Sequence, residues 1–212
     1  MNYKLMIWSL FFHITSSGIV SAQQIDGYDF KNGDLLFQNL DCGPLCDAIE
    51  TVTRGIDGSK FSHIGMVYRR NDSVYVLEAI GSDVHLTPLH SFLKRSSHKV
   101  YIGRVKKRYA KIADRAVVNA ISKIGVAYDD VFIYNNGKYY CSELIYDAFK
   151  AANDDKPFFR LQPMTFKELE TNAFFNVWVD YYKELNMPIP EGKPGINPGG
   201  ISRSRNIRIL NK

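Results

Sequence analysis

The sequence predicts an α+β fold in which helices pack on an antiparallel sheet. Residues 61–81 contain two apolar runs, rich in β-branched and aromatic residues, on either side of Asn71-Asp72, which is typical of a β-hairpin. Apolar residues recur at helical spacing in two later segments, 110–124 and 141–152. Helices and strands do not alternate strictly along the chain, and this favours an α+β class over a parallel α/β sheet.

The first half of the chain supplies further elements on both sides of the hairpin. Residues 33–38, GDLLFQ, predict a short strand after a Gly-Asp turn. Residues 42–55 predict a helix, with a proline near its first turn and a glycine at its end. After the hairpin, Thr87 is the predicted N-cap of a short helix, and Pro88 lies just inside it.

The second half begins with a predicted strand over 99–105, KVYIGRV. Gly125 ends the first helical segment. The second helical segment starts at Cys141, and its apolar face comprises Leu144, Ile145, Ala148, Phe149 and Ala152. These two helices supply the apolar faces that the sheet needs as a partner.

The last part of the chain is less regular. Residues 165–170, TFKELE, predict a helix, and residues 186–200 form a loop rich in Pro and Gly. A loop of this kind can frame a cleft, although most surface loops do not. Residues 207–210, IRIL, predict a strand that returns to the sheet.

The first 22 residues have the pattern of a secretory signal peptide. One positive charge, Lys4, precedes an almost uncharged apolar run over 5–14, and small residues lead to a cleavage site after Ala22. The run is too short for a transmembrane helix, although a retained N-terminal anchor is the alternative. We therefore expect a secreted or periplasmic protein whose mature chain, 23–212, is a single domain without a transmembrane segment.

Charge and cysteine usage narrow the function classes. The net charge is a mild +5, and no dense block of Lys and Arg interleaves with aromatics, so nucleic-acid binding is disfavoured. Cys42 and Cys46 lie close together and are either a local disulfide or two buried thiols. No further ligands with zinc spacing are evident, and we expect neither a metal nor a cofactor. Cys141 is the odd cysteine left over, which marks it as a reactive thiol.

A nucleophilic cysteine needs a stabilised thiolate, a base and a group that orients the base. The predicted start of a helix gives Cys141 partial positive charge and free N–H groups. Four histidines follow the signal peptide; His90 and His98 fall in a polar stretch, and His85 is undetermined. His63 differs because it interrupts an apolar strand, although a structural histidine is the alternative.

The hairpin supplies a partner for His63. If Asn71 and Asp72 form a two-residue turn, His63 and Glu78 are diagonal neighbours on the same face of the sheet. Glu78 also interrupts an apolar run, where an unpaired carboxylate is costly to bury. His63 and Glu78 are therefore interpreted as a base and its orienting group, or alternatively as a structural hydrogen bond. A shift of one residue in the strand register would place them on opposite faces.

The order of motifs GDLLFQ, FSHIGMV, VLEA, GVAYD and YYCSELIYDAF resembles the YiiX-like branch of the NlpC-type papain-like cysteine hydrolases. In that branch the papain-like core is circularly permuted, so the histidine precedes the cysteine. The resemblance implies a barrel-like antiparallel sheet with helices packed on it. It also implies catalytic Cys141 and His63, with Glu78 as the third polar member. Tyr128 resembles the family tyrosine near the nucleophile and either helps to bind the oxyanion or is simply packed.

The resemblance implies a metal-independent thiol hydrolase that cleaves an amide bond in a short peptide or a cell-wall peptide through an acyl-enzyme. Two alternatives stay open: a lipid acyl esterase or acyltransferase, and a non-catalytic binding module. Lipid-acting relatives carry a second histidine where this chain has Glu78, which disfavours the lipid reading. A lipid groove would be built from these aromatics, which are also candidates for the core: Phe158, Phe159, Phe174, Phe175 and Trp178. The oligomeric state is open.

Overall fold

A computed structural model describes residues 28–211, so the predicted signal peptide lies outside the described residues. Its centre is a six-stranded sheet in which every neighbouring pair is antiparallel, in the order β4-β3-β2-β1-β5-β8. The strands are β1 (Leu35–Gln38), β2 (His63–Arg70), β3 (Ser73–Ile80), β4 (Asp83–Pro88), β5 (Tyr101–Val105) and β8 (Ile207–Ile209). Two short strands, β6 (Gln162–Pro163) and β7 (Pro194–Gly195), form a separate pair.

The helices cover the sheet and the pair of short strands. They are α1 (Pro44–Val52), α2 (Leu89–Leu93), α3 (Ala110–Ile121), α4 (Cys141–Ala152), α5 (Asn176–Glu184) and α6 (Pro198–Ser202), with 3-10 turns at Ile56–Gly58 and Lys107–Tyr109. Helices α3 and α4 pack against each other and against β2, and α4 also contacts β3. The predicted apolar face of α4 is fully buried, and the α+β class is confirmed. No helix among residues 28–211 has the length and apolar character needed to cross a bilayer.

The predicted hairpin and its register are confirmed. Arg70 pairs with Ser73, and Met66 pairs with Leu77, as a two-residue turn requires. Asn71 adopts a positive φ of 53°, a conformation that asparagine tolerates better than most residues. A Cβ on Gly65 would lie 3.4 Å from the Cβ of Glu78, so these two positions are neighbours as expected.

Two predicted features are wrong. Thr87 is not the N-cap of a helix, because it pairs with Val76 as part of β4, a strand that the sequence patterns did not indicate; α2 starts two residues later. Residues 165–170 are not helical. Glu191 accepts hydrogen bonds from the Thr165 hydroxyl at 3.0 Å and from the Phe166 N–H at 2.8 Å, and this distant partner overrides local helix propensity.

The Pro/Gly segment 186–200 is more ordered than its composition suggests. It contains β7 and the start of α6, and the Asn197 side chain caps α6 by accepting from the Gly200 N–H at 2.7 Å. A Cβ on Gly199 would clash with the backbone carbonyl of Thr53, so only glycine allows α6 to approach the end of α1. The returning strand β8 is confirmed, and Cys42 and Cys46 form a disulfide.

Candidate active site

Cys141 is the first residue of α4 and the only free cysteine among the described residues. The first N–H groups of a helix lack intrahelical acceptors, and the helix dipole adds partial positive charge. Its side chain is nearly buried, yet it lines a pocket of about 140 Å³. The helix therefore holds the sulfur at the floor of a small, partly open cavity.

The residues on either side of Cys141 fix the start of α4. The Ser142 hydroxyl donates to the carbonyl oxygen of Ile196 at 2.9 Å. The Tyr140 hydroxyl accepts from the N–H of the same residue, Ile196, at 3.1 Å. Both polar backbone groups of Ile196 are thus bound by sequence neighbours of Cys141. The Pro/Gly segment therefore forms one wall of the pocket.

The structure brings His63 and Glu78 together with Cys141. The Nε2 atom of His63 lies 2.6 Å from Oε2 of Glu78, and both side chains are buried. The Cys141 side chain lies close enough to the His63 ring to raise the pKa of His63. Because Nε2 is used by Glu78, Nδ1 is the nitrogen left for the sulfur. Cys141, His63 and Glu78 are therefore neighbours, with the imidazole between the thiol and the carboxylate.

Arg95 also binds Glu78, a contact that was not predicted from the sequence. Its guanidinium donates to both carboxylate oxygens of Glu78, at 2.8 and 2.5 Å, and to the Thr87 hydroxyl at 3.1 Å. It also lies 5.5 Å from the centre of the Phe92 ring. The signal available in the sequence was Glu78 itself, because a fully buried carboxylate requires a cation or several donors. The identity of that cation could not be predicted without β4, the missed strand, whose Thr87 binds Arg95.

These contacts set the protonation of the pair. Burial alone would lower the pKa of His63, but its hydrogen bonds to Cys141 and Glu78 outweigh burial and raise the pKa to about 9. Burial alone would raise the pKa of Glu78, but the hydrogen bonds from His63 and Arg95 lower the pKa to about 2. Around neutral pH the arrangement therefore favours an imidazolium beside an ionised carboxylate.

Tyr128 lines the same pocket as Cys141. Its hydroxyl makes no hydrogen bond to another described residue, so it is free to meet a ligand. Burial, with the nearby Cys141 as the next cause, raises the pKa of Tyr128 well above its ordinary value, so the phenol keeps its proton. The loop after it is fixed by buried Asp129, which accepts from the N–H groups of Val131 and Ile133 at 3.0 and 2.8 Å.

The rest of the pocket is mixed in polarity. Its apolar wall includes Ile49, Phe132, Met164, Phe166, Trp178 and Ile196, and its polar residues include Thr53, Ser62, Gln162 and Arg203. Of the five aromatics considered for a lipid groove, only Trp178 lies in this pocket, and Phe158 and Phe159 pack against Phe149 in the core. The pocket is therefore small and offers both apolar contacts and polar groups.

The other histidines have separate partners. Nδ1 of His85 lies 2.8 Å from Asp83, and Nε2 of His98 lies 2.9 Å from Asp41. His90 is exposed on α2. None of the three lines the pocket of Cys141. His63 is therefore the histidine that lies beside Cys141.

A family model for the permuted papain-like amidase enzymes, YaeF/YiiX, C92 family, matches residues 29–210. The chain belongs to this C92 family. The fold expected from the resemblance, a circularly permuted papain-like α+β fold, is thereby confirmed, with the histidine strand preceding the cysteine helix.

The chain is also similar to two individual proteins. It is 27% identical over 124 residues to the uncharacterized protein YiiX of Escherichia coli strain K12, and this match spans 58% of each chain. A crystal structure of the metalloprotein yiiX from Escherichia coli O157:H7 has the same fold, with a TM-score of 0.74 at 22% identity, covering 87% of this chain and 98% of that one.

A metal does not fit the residues that the structure describes here. Within 28–211, no group of three or more His, Cys, Asp or Glu side chains is arranged to hold a metal ion. The site residues are also already committed, because His63 and Arg95 occupy the carboxylate of Glu78. The chemistry below is therefore built from these side chains alone.

Proposed function

We propose that the chain is a cysteine amidase that cleaves an amide bond of a short peptide or a cell-wall peptide. The observation that carries this proposal is that Cys141 lines a pocket at the start of α4 and lies beside the hydrogen-bonded pair His63–Glu78. Membership of the C92 amidase family supports the same reaction class. Glu78 orients the imidazole and stabilises its charged form.

The reaction proceeds in two halves. In the reacting form, His63 already carries the proton of the Cys141 thiol as an imidazolium, and the thiolate sulfur attacks the amide carbon to form a tetrahedral oxyanion. When the C–N bond breaks, the imidazolium gives its proton to the departing amine, which leaves a thioester. Water then attacks the thioester carbon while His63 accepts a proton from it, and the carboxylic acid departs as the sulfur regains a proton.

The oxyanion has two candidate donors. The N–H of Cys141 lies at the helix start, where it has no intrahelical acceptor. The Tyr128 hydroxyl lines the same pocket and keeps its proton.

Replacing Tyr128 with Phe should lower kcat by about 10-fold or more while leaving the rate of Cys141 alkylation unchanged, since alkylation by iodoacetamide forms no oxyanion.

The nucleophile is tested by alkylation and peptide mapping. We expect iodoacetamide to label Cys141, and His63→Ala to slow that labelling strongly, because the thiolate loses its imidazolium partner. His90→Ala is the matched control, since His90 is exposed and outside the pocket. An unlabelled Cys141, or equal rates in the two histidine variants, would refute the proposal.

The substrate class is tested by parallel incubation with muropeptides, short peptides and acyl lipids, with release of amine or acid measured by mass spectrometry. Turnover of a peptide amide that is lost in Cys141→Ala is the expected result. Release from acyl lipids alone would replace the amidase by an esterase. Binding without turnover of any substrate would indicate a non-catalytic module.

We also propose that the protein is exported, with cleavage after Ala22. The Cys42–Cys46 disulfide supports this, because disulfides persist in oxidising compartments. N-terminal sequencing of protein recovered from its native compartment tests it. A first residue at Gln23 is expected, and an intact Met1 in a reducing compartment would contradict it.

A further inference from the structure

A second cavity lies directly beside the pocket of Cys141. The two share three wall residues, Gln162, Ile196 and Arg203. The second cavity has a volume of about 850 Å³, several times that of the first. A ligand that reaches Cys141 can therefore extend across Ile196 into this larger space.

The charge of the second cavity is one-sided. Its wall contains three arginines, Arg160, Arg203 and Arg205, and no aspartate or glutamate. None of the three guanidinium groups forms a hydrogen bond or an ion pair with another residue in the range 28–211. The pocket of Cys141 adds no acidic residue either. Clustered cations in a concave site produce a positive potential that concentrates anions.

The backbone that carries the arginines is anchored on both sides. Arg203 follows α6, which Asn197 caps. Next to Arg205, the Asn206 side chain donates to the carbonyl of Phe158 at 2.7 Å. Arg160 follows Phe158 and Phe159, which are buried in the core. The backbone positions of the three exposed arginines are therefore fixed beside the cavity.

We propose that this arginine cleft, formed by Arg160, Arg203 and Arg205, binds the carboxylates of an acidic peptide whose amide bond lies at Cys141. The inference rests on the proposed amidase function and names its substrate class. Guanidinium groups bind carboxylates through paired, charge-assisted hydrogen bonds. The small pocket of Cys141, which contains no acidic residue, accommodates the neighbouring residue of the same peptide. A membrane surface fits less well, because the arginines line a concavity that joins the nucleophile's pocket.

Equilibrium binding tests the cleft without requiring turnover. The probes are dansylated Ala-Glu-Ala-Ala and its isostere dansylated Ala-Gln-Ala-Ala, both amidated at the C-terminus so that the second is neutral, measured by fluorescence anisotropy on a Cys141→Ala protein. We expect the acidic peptide to bind about 10-fold more tightly, as for one charge-assisted pair, and the difference to shrink at high salt. Adding Arg203→Gln or Arg160→Gln should abolish the preference.

Arg70→Gln is the matched control, because Arg70 is exposed at the hairpin turn and lines neither cavity. Equal affinity for the two peptides, or a preference that survives both cleft substitutions, overturns the proposal. Capture of anionic phosphatidylglycerol vesicles but neither peptide also overturns it, in favour of a membrane surface. The amidase proposal is judged separately by Cys141 alkylation and turnover, so either proposal can fail while the other stands.

Discussion

At the scale of single residues, Glu78 is held by two donors with different tasks. His63 approaches one carboxylate oxygen, while Arg95 spans both oxygens from the opposite side. In the proposed reaction Arg95 is therefore a positioning residue, since it reaches Cys141 only through Glu78 and His63. It keeps the buried carboxylate ionised and prevents it from rotating away from the imidazole.

Replacing Arg95 with Met should raise the pKa of Glu78, since hydrogen bonds from Arg95 help to lower it. A Glu78 that protonates more easily stabilises the imidazolium less. The pH at which Cys141 alkylation begins to slow on the acidic side should then rise by about one unit. At a fixed acidic pH the variant should therefore be alkylated about 10-fold more slowly. Arg95→Lys should restore part of this, and Arg70→Met should have no effect. An unchanged pH profile in Arg95→Met would mean that Arg95 is only structural.

The raised pKa of His63, about 9, gives a second expectation. Departure of the amine needs the imidazolium, so kcat/KM for an amide should fall above about pH 9. Alkylation of Cys141 needs only the thiolate and should not fall there. Measuring both rates from pH 6 to 10.5 separates the proton donation by His63 from the attack by Cys141. The apparent pKa values obtained belong to Cys141 and His63 together, because the two groups interact. A parallel fall of both rates would contradict this assignment.

At the scale of elements, the predictable parts were those whose own pattern is strong. The hairpin, α3, α4 and β8 follow from local periodicity and turn residues, and the register of the hairpin places His63 beside Glu78. The missed strand β4 has only two apolar residues, Val84 and Leu86, in alternation before Pro88, a pattern too short to stand out, and its pairing with β3 stabilises it. Arg95 and the arginine cleft depend on contacts between distant segments, which no local pattern encodes.

Helix α6 gives a prediction at this scale. Gly199→Ala should destabilise the protein by about 1–3 kcal/mol, because the added methyl group would meet the fixed backbone carbonyl of Thr53. Displacement of α6 would also change the wall between the pocket of Cys141 and the arginine cleft, and we expect lower turnover. Gly200→Ala is the control on the same helix, since its Cβ would lie 3.3 Å from only a side-chain oxygen, that of Asn197. Chemical denaturation of the two variants measures the difference, and equal stabilities would contradict close packing of α6.

At the scale of the whole molecule, three buried groups bias stability in different pH ranges. The pKa of Glu78 is lowered to about 2 from an ordinary value near 4.5. The ionised carboxylate therefore adds to the free energy of unfolding above pH 4.5, and this stabilisation is lost as pH falls towards 2. The pKa of His63 is raised to about 9, so its contribution is present below its ordinary value of 6.5 and is lost as pH rises towards 9. Burial raises the pKa of Glu143 to about 8, so its ionisation weakens the fold progressively between 4.5 and 8.

The three effects together predict maximal stability near pH 5, with a fall on both sides. Thermal unfolding from pH 3 to 9, followed by circular dichroism, measures this directly. Glu143→Gln should flatten the fall between pH 5 and 8, because the neutral amide keeps the acceptor for the Asn135 N–H, at 2.7 Å in the native chain, without a charge to bury. The acid side should be unchanged in that variant and reduced in Glu78→Gln. A midpoint that rises steadily to pH 8 would show that the surface charges outweigh these buried groups.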